Sequence, residues 1–466
     1  MCRATHDNSW QKPPHRVEMV SPEPLESPGF KATRQPENTH LREEITMLVR
    51  QLSAAFVFAA LSIGGLAHSA DCPVKLGGVL PVSGPMGQVG ERISTTGQFA
   101  VDHFNAAGGV KGCDVEYVLR DTQGQSTVGV DAAKSLVDLE GVQALIGAVS
   151  SGVSLPILTS VAVPSEITQV SCCSSSESFT ALAEKGETNG YWFRTYATNR
   201  SQSAMGAYLT TKSNFKKTAV IYVNTDFGVG LAKRFEQDLP KLGGSITKMV
   251  AYNESQQSYR AEVTSALEGN PDSLFLVAFP VDGATITREW LALGGTNNLI
   301  VNNSLRSSDY FEAVGTKHLQ NLQGYDSAQP RLPSVTTFNE LFEAEFNGPP
   351  DGPGLHSVYD AVTVVLLAME ASDEITGTNI RDNIRKVTAV DGEEVYPGPD
   401  GIKRAKALLA EGKSIRYVGA TGALSFDENG DVQAPKMTWK LDGDENVETG
   451  YYPEKEVAEL IMKLDK

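Results

Sequence analysis

Two serine runs stand out among the residues able to do chemistry: Ser150-Ser151-Gly152 and Ser174-Ser175-Ser176. Each follows an apolar, β-like run and leads toward a helical pattern. Serine hydroxyls beside unpaired helix N-terminal amides can satisfy a carboxylate without any full positive charge. Ordinary helix capping uses the same residues, and both readings stand at this point. Phe227, within Asn224-Thr225-Asp226-Phe227-Gly228, lies in a loop after another such run; an aromatic ring there can cover a ligand's apolar side or pack in a core. Asp282, just beyond the run 273–279, can pair with an ammonium group or cap a helix.

Catalytic and metal constellations are missing. Beyond residue 70 the histidines are His103, His318 and His356, far apart and without metal-ligand spacing, so no metal is expected. Gly412-Lys413-Ser414 has Ala407 where a phosphate-binding loop requires glycine. Neither a Gly-x-Ser-x-Gly elbow nor a Gly-x-Gly-x-x-Gly after a strand occurs. The chain is expected to bind rather than catalyse, and to use no cofactor. Its 40 Lys and Arg against 57 Asp and Glu give a net charge of -17, which repels nucleic acid and anionic lipid.

The elements that position these residues begin after a leader. Residues 1–46 carry six prolines, charges of both signs and no apolar periodicity, and are expected to be disordered or a non-native extension, with Met47 the true start. Residues 47–70 read as a signal peptide: a basic start ending at Arg50, an apolar core from Leu52 to Leu66, and small residues allowing cleavage near Ser69 to Ala70. A periplasmic, disulfide-permissive location follows. Cys72 and Cys113 each precede a predicted strand, and if those strands are parallel neighbours their starts lie within bridging range. Cys172 and Cys173 are adjacent and read either as a strained vicinal ring or as two free thiols.

From residue 71 onward strand-like runs alternate with helical patterns, the signature of parallel sheets covered on both faces. Strands are predicted at 74–80, 115–119 and 142–149, with helices between and Ser126 as N-cap of the second. The order returns about 140 residues later at 218–223, 246–252 and 273–279. The fold class is α/β: two doubly wound lobes, 71–194 plus 328–420 and 195–327 plus 421–466, with a ligand cleft between them. Phe193 to Thr195, Ser327 to Gln329 and Gly419 to Gly422 are the expected hinge segments. The run 358–371 is expected to be a buried first-lobe helix, and Pro397 to Gly401 a surface insertion.

These residues resemble the extracytoplasmic solute-binding proteins of branched-chain amino acid ABC transporters, the Leu/Ile/Val-binding, type I periplasmic binding protein kind. The resemblance spans about residues 74–440. It rests on Gly78-Val79-Leu80-Pro81-Val82-Ser83-Gly84-Pro85, Phe104-Asn105-Ala106-Ala107-Gly108-Gly109-Val110, Asp121-Thr122-Gln123, Phe193-Arg194-Thr195, Asp226-Phe227-Gly228-Val229-Gly230 and Tyr359-Asp360-Ala361, in that order. It implies lobe closure around a small solute, most simply an apolar amino acid, and delivery by a monomer to a membrane permease. Ser151 and Ser175 take the positions that bind the ligand carboxylate. Phe227 stands where the family usually has tyrosine, Val89 replaces a frequent pocket aromatic, and Asn302-Asn303-Ser304 lacks the acidic residue that usually holds the ammonium, leaving Asp282 as substitute. The alternatives are a binder of aromatic acids, amides or other small organic acids, and a ligand-sensing ectodomain.

Overall fold

The computed structural model describes residues 72–466. The expectations for residues 1–46 and for a signal peptide at 47–70 lie outside the described residues.

Strands β1 (Val74–Leu80), β2 (Val115–Asp121), β3 (Ala144–Gly147), β4 (Thr168–Ser171) and β5 (Trp192–Arg194) form an all-parallel sheet in the order β2-β1-β3-β4-β5. Strands β6 (Lys217–Val223), β7 (Ser245–Tyr252), β8 (Ser273–Val277), β9 (Leu299–Val301) and β10 (Leu322–Ser327) repeat that order as β7-β6-β8-β9-β10. The duplication read from the spacing is therefore a duplication of topology. A small sheet of β11 (Glu393–Val395), β12 (Ile415–Gly419) and β13 (Gly422–Ala423) extends the first lobe. The second sheet is not wholly parallel, because β14 (Lys436–Asp442) and β15 (Glu445–Tyr452) add an antiparallel hairpin beside β10. Strands β3, β4, β5, β8 and β9 are buried at every residue, since helices cover both faces, whereas the edge strands β2 and β7 are mostly part-exposed.

The first lobe closes on the helix Leu355–Ala371, whose residues from Leu355 to Met369 are all buried. It packs against the helix Gly87–Ala106. Asp360 on this helix accepts from Tyr417 Oη (2.8 Å), from the amides of Ala420 and Thr421 (2.7 Å each) and from the Thr421 hydroxyl (2.5 Å). Burial nevertheless raises its pKa to about 6. That clamp holds Gly419 to Gly422 as the turn between β12 and β13, so this segment is not the third hinge. Leu424 and Val432 still lie in the first-lobe core, which puts the crossing between Val432 and Lys436. The stretch at Pro397 is not a surface insertion either. Pro397 and Gly398 are buried, the Gly398 amide donates to Tyr359 Oη (2.9 Å), and Pro399 opens a helix. Ser126 is the first residue of its helix; Gln125 precedes it as a cap without a side-chain bond.

Cys72 and Cys113 are joined, as expected from neighbouring parallel strands whose register pairs Val74 with Val115. Three chain crossings link the lobes. Tyr196 on the first donates to Asp326 on the second (2.8 Å), Lys436 on the third donates to Ser327 (3.0 Å), and the Ala328 amide donates to the Pro435 carbonyl (2.9 Å). Burial raises the Asp326 carboxyl and lowers Lys436 to about 8, with each charge supporting the other.

Candidate functional site

β3 and β4 are adjacent and parallel, so the serine runs that follow them emerge side by side. β3 ends at Gly147, whose φ is +124°; a Cβ there would lie 2.3 Å from the Val79 carbonyl of β1, so only glycine allows this close exit. Ser150 then caps the short helix Ser151–Ile157 through its backbone. Ser151 Oγ accepts the amides of both Ser175 and Ser176 (3.1 Å each). A hydroxyl that accepts two bonds keeps its own proton to donate, and the two amides polarise it. Ser175 Oγ donates to Asn199 Oδ1 (2.8 Å) at the start of the first second-lobe helix.

Arg194, at the end of β5, holds this arrangement from beneath. It is fully buried, pairs through Nε with Asp431 (2.6 Å), and donates to the carbonyls of Ser174 (3.2 Å) and Ser176 (2.8 Å). The partner lies 237 residues away in sequence.

Ser150, Ser151 and Ser175 line a cavity between the lobes together with Ile93, Val149 and Cys173. Its volume is about 40 Å³. The second lobe contributes Phe227, Phe279, Asn303 and Ser304, and Tyr196 enters from the first crossing. Phe227 sits in the first turn of the helix Asp226–Lys241 rather than in a loop, with Thr225 capping that helix through its hydroxyl. Its ring stacks on Phe279 at 5.9 Å between centroids. Asn303 Nδ2 donates to Tyr196 Oη (3.0 Å), while its Oδ1 is buried without a partner.

No lining residue is a carboxylate, a lysine or an arginine. Burial raises the Cys173 thiol and the Tyr196 phenol well above their usual ranges, so both are neutral. The lobes are shut around the cavity. Met86 of the first lobe is buried in the second-lobe core, Thr225 packs against Gly152, and Arg306 pairs with Asp351 across the cleft (2.8 Å).

Three expected site residues fall elsewhere. Ser174 lies below the cavity, bonded to Ser154 Oγ (2.7 Å) and the Ala148 carbonyl (3.3 Å), where it ties the two strand ends together. Asp282 does not face the cavity; it accepts from Tyr259 Oη (2.6 Å) and the Ser255 amide (3.3 Å), and burial raises its pKa. The reason is helical phase: three residues into the helix Pro280–Ala292, its side chain turns toward the 255–259 loop. Val89 lines a separate, outer space of about 490 Å³ at the cleft mouth, with Glu91, Arg288 and Asp309. Phe279, Tyr196 and Ile93 went unread in the sequence. Phe279 was reachable through the repeat, since it follows β8 as the serines follow β3.

The family model described as periplasmic binding protein matches residues 73–412. The Leu/Ile/Val-binding protein homolog 3 of Brucella melitensis is 24% identical, over 83% of this chain and 95% of the relative. The leucine-binding protein LivK of Thermotoga maritima superposes with a TM-score of 0.68 at 23% identity, covering 82% of this chain and 99% of that one. A solute-binding protein of an ABC transporter from R. palustris, solved with benzoate, superposes with a TM-score of 0.64 at 17% identity, covering 82% and 96%. With its paired five-strand orders, its three crossings and a family match over most of its length, the chain belongs to the periplasmic binding proteins.

Proposed function

We propose that this protein is the exported substrate-binding component of an ABC importer and captures a small, mainly apolar carboxylate by lobe closure, handing it to a membrane permease. The carrying observation is the asymmetry of the cavity: free hydroxyl donors of Ser150 and Ser151 on one side, the stacked rings of Phe227 and Phe279 on the other, and no charged side chain between. Hydroxyl donors satisfy a carboxylate in a water-poor site, and the rings accept a flat or branched apolar body. An α-ammonium finds no carboxylate in this wall, which favours an aromatic or other organic acid of the benzoate class over an amino acid.

A second reading is an apolar amino acid. The buried, unpartnered Asn303 Oδ1 favours it, since a neutral acceptor can take one ammonium proton. The name of the Brucella relative points the same way. A thermal-shift screen of benzoates and hydroxybenzoates against leucine, isoleucine and valine separates the two. A true ligand at a hundredfold excess over Kd stabilises by about 2.7 kcal/mol. Stabilisation by benzoates alone supports the first reading, stabilisation by the amino acids alone the second, and silence from both sets rejects the carboxylate pocket.

A further inference from the structure

Among the described residues two cysteines stay outside the Cys72–Cys113 bridge, and both stand just after β4. Cys172 is buried in the first-lobe core, while Cys173 forms part of the cavity wall. Their sulfurs are 2.7 Å apart, well inside the roughly 3.5–4.0 Å at which unbonded heavy atoms rest. The core holds Cys172, and Cys173 Sγ abuts Gly354, where φ is +82° and an added Cβ would lie 2.6 Å from the sulfur. The backbone between them is pinned as well: Ser171 Oγ accepts the amides of Cys173 (3.3 Å) and Ser174 (3.0 Å) and donates to the Ala148 carbonyl (2.7 Å). The same chain carries a closed disulfide, the mark of an oxidising compartment.

We propose that Cys172 and Cys173 are an oxidation site, closing into a vicinal disulfide that becomes part of the cavity wall. With the lobes apart, water reaches Cys173. Its thiolate attacks the disulfide of an exported thiol oxidase and forms a mixed disulfide. The Cys172 thiolate then displaces the oxidase sulfur, closing the ring. Two protons leave the pair, two electrons pass to the oxidase, and the oxidase departs as a dithiol. When the lobes shut, burial raises the thiol, so exchange is confined to the open form. The product exchanges a thiol lining for an apolar disulfide edge one residue before Ser174 and two before Ser175. The redox state of the pair thereby acts on the serine loop.

The test does not depend on the ligand. The mature protein is isolated without reductant, quenched in acid and treated with iodoacetamide before and after reduction, and the peptide carrying both cysteines is weighed. The proposal expects this peptide to be lighter by two hydrogens and unlabelled until reduction, and then doubly labelled. Two labels without reduction, with Cys72–Cys113 still joined, would overturn it. If the preparation is found fully reduced, oxidised glutathione decides. Return of both bridges supports the ring, and return of Cys72–Cys113 alone rejects it. The Cys172→Ser variant must lose the two-hydrogen difference and label once at Cys173; retention of the difference rejects the pairing.

Discussion

The two lobes share one strand order and one helix plan, yet they meet the cavity with opposite chemistry. After β3 and β4 the first lobe offers serines, held by their own amides and by Arg194. After β8 the second lobe offers Phe279, with Phe227 stacked on it, and after β9 it offers Asn303 and Ser304. Equivalent strand ends set where a side chain arrives, and the residue type alone sets what it does there. The serine hydroxyls of the first lobe form a polar seat beside Ile93 and Val149, and the stacked rings of the second form an apolar cover beside Asn303 and Ser304.

The largest effects should fall on the seat. Arg194→Ala leaves Asp431 buried and unpaired and releases two carbonyls of the serine loop. Breaking a buried pair of this kind costs about 3–5 kcal/mol, read as a lowered urea midpoint. The mixed ion pair that spans the lobes gives the contrast. Asp351 is 59% exposed and Arg306 keeps its second partner Asp326, so Asp351→Ala should cost under about 1 kcal/mol. Equal losses in the two variants would erase the distinction between a rigid seat and a loosely latched cover. Opening the Cys72–Cys113 bridge, which spans 41 residues, should remove about 4 kcal/mol by loop-closure entropy. Hydrogen exchange should then rise in β1 and β2 and stay unchanged in β6 and β7; loss of protection in both lobes would show that they unfold as one.

Binding should divide along the same line. Ser151→Ala removes a hydroxyl offered to a charged group, worth about 1.5–3 kcal/mol, so calorimetry with the ligand selected by the screen should show Kd rising roughly 10- to 100-fold. Phe227→Leu keeps most of the apolar bulk and should cost under about 1.5 kcal/mol. A larger loss from Phe227→Leu than from Ser151→Ala would place the dominant contact on the cover.

Stability should also depend on pH, because both lobes carry buried groups with displaced pKa values. His103 and His356, both in the first lobe, are held at about 4 and about 3 by burial. Depressed histidine pKa values mean that the unfolded chain binds more protons from about pH 6.5 downward, so their contribution falls as the pH drops through that window. His356→Leu should flatten the loss of stability there. Asp360 in the same lobe, raised to about 6, works in the reverse sense. In the second lobe, burial and the nearby Asp282 raise Glu254 to about 7. Its contribution is complete below the ordinary glutamate range and is lost as pH rises through about 7. Glu254→Gln should therefore stabilise at pH 8 and change little at pH 4, as urea midpoints at the two pH values would reveal.

Much of this was legible along the chain. β1 spans the predicted 74–80, and the repeat about 140 residues on gave a second sheet of the same order, because parallel strands covered on both faces read as unbroken apolar runs between turns. The Cys72–Cys113 pairing followed from two strand starts. Ser151, Ser175 and Phe227 could be picked out because strand ends in such sheets open onto the cleft. Other features stayed hidden because they depend on partners far away or on helical phase. Arg194 meets Asp431 only through the third crossing, Asp282 turns toward Tyr259, Ser174 sinks below the cavity, and Asp360 converts an expected hinge into a clamped turn.

Local pattern thus determined the alternation of strands and helices in two lobes and the polarity of what each strand end presents, since periodicity and turn chemistry act over a few residues. Tertiary structure decided which of those residues share a cavity, where the chain crosses for the third time, and that no carboxylate lines the wall. These are matters of long-range closure: the seat and the cover are separate along the chain, and only the folding of one lobe over the other brings Ser151 to face Phe227.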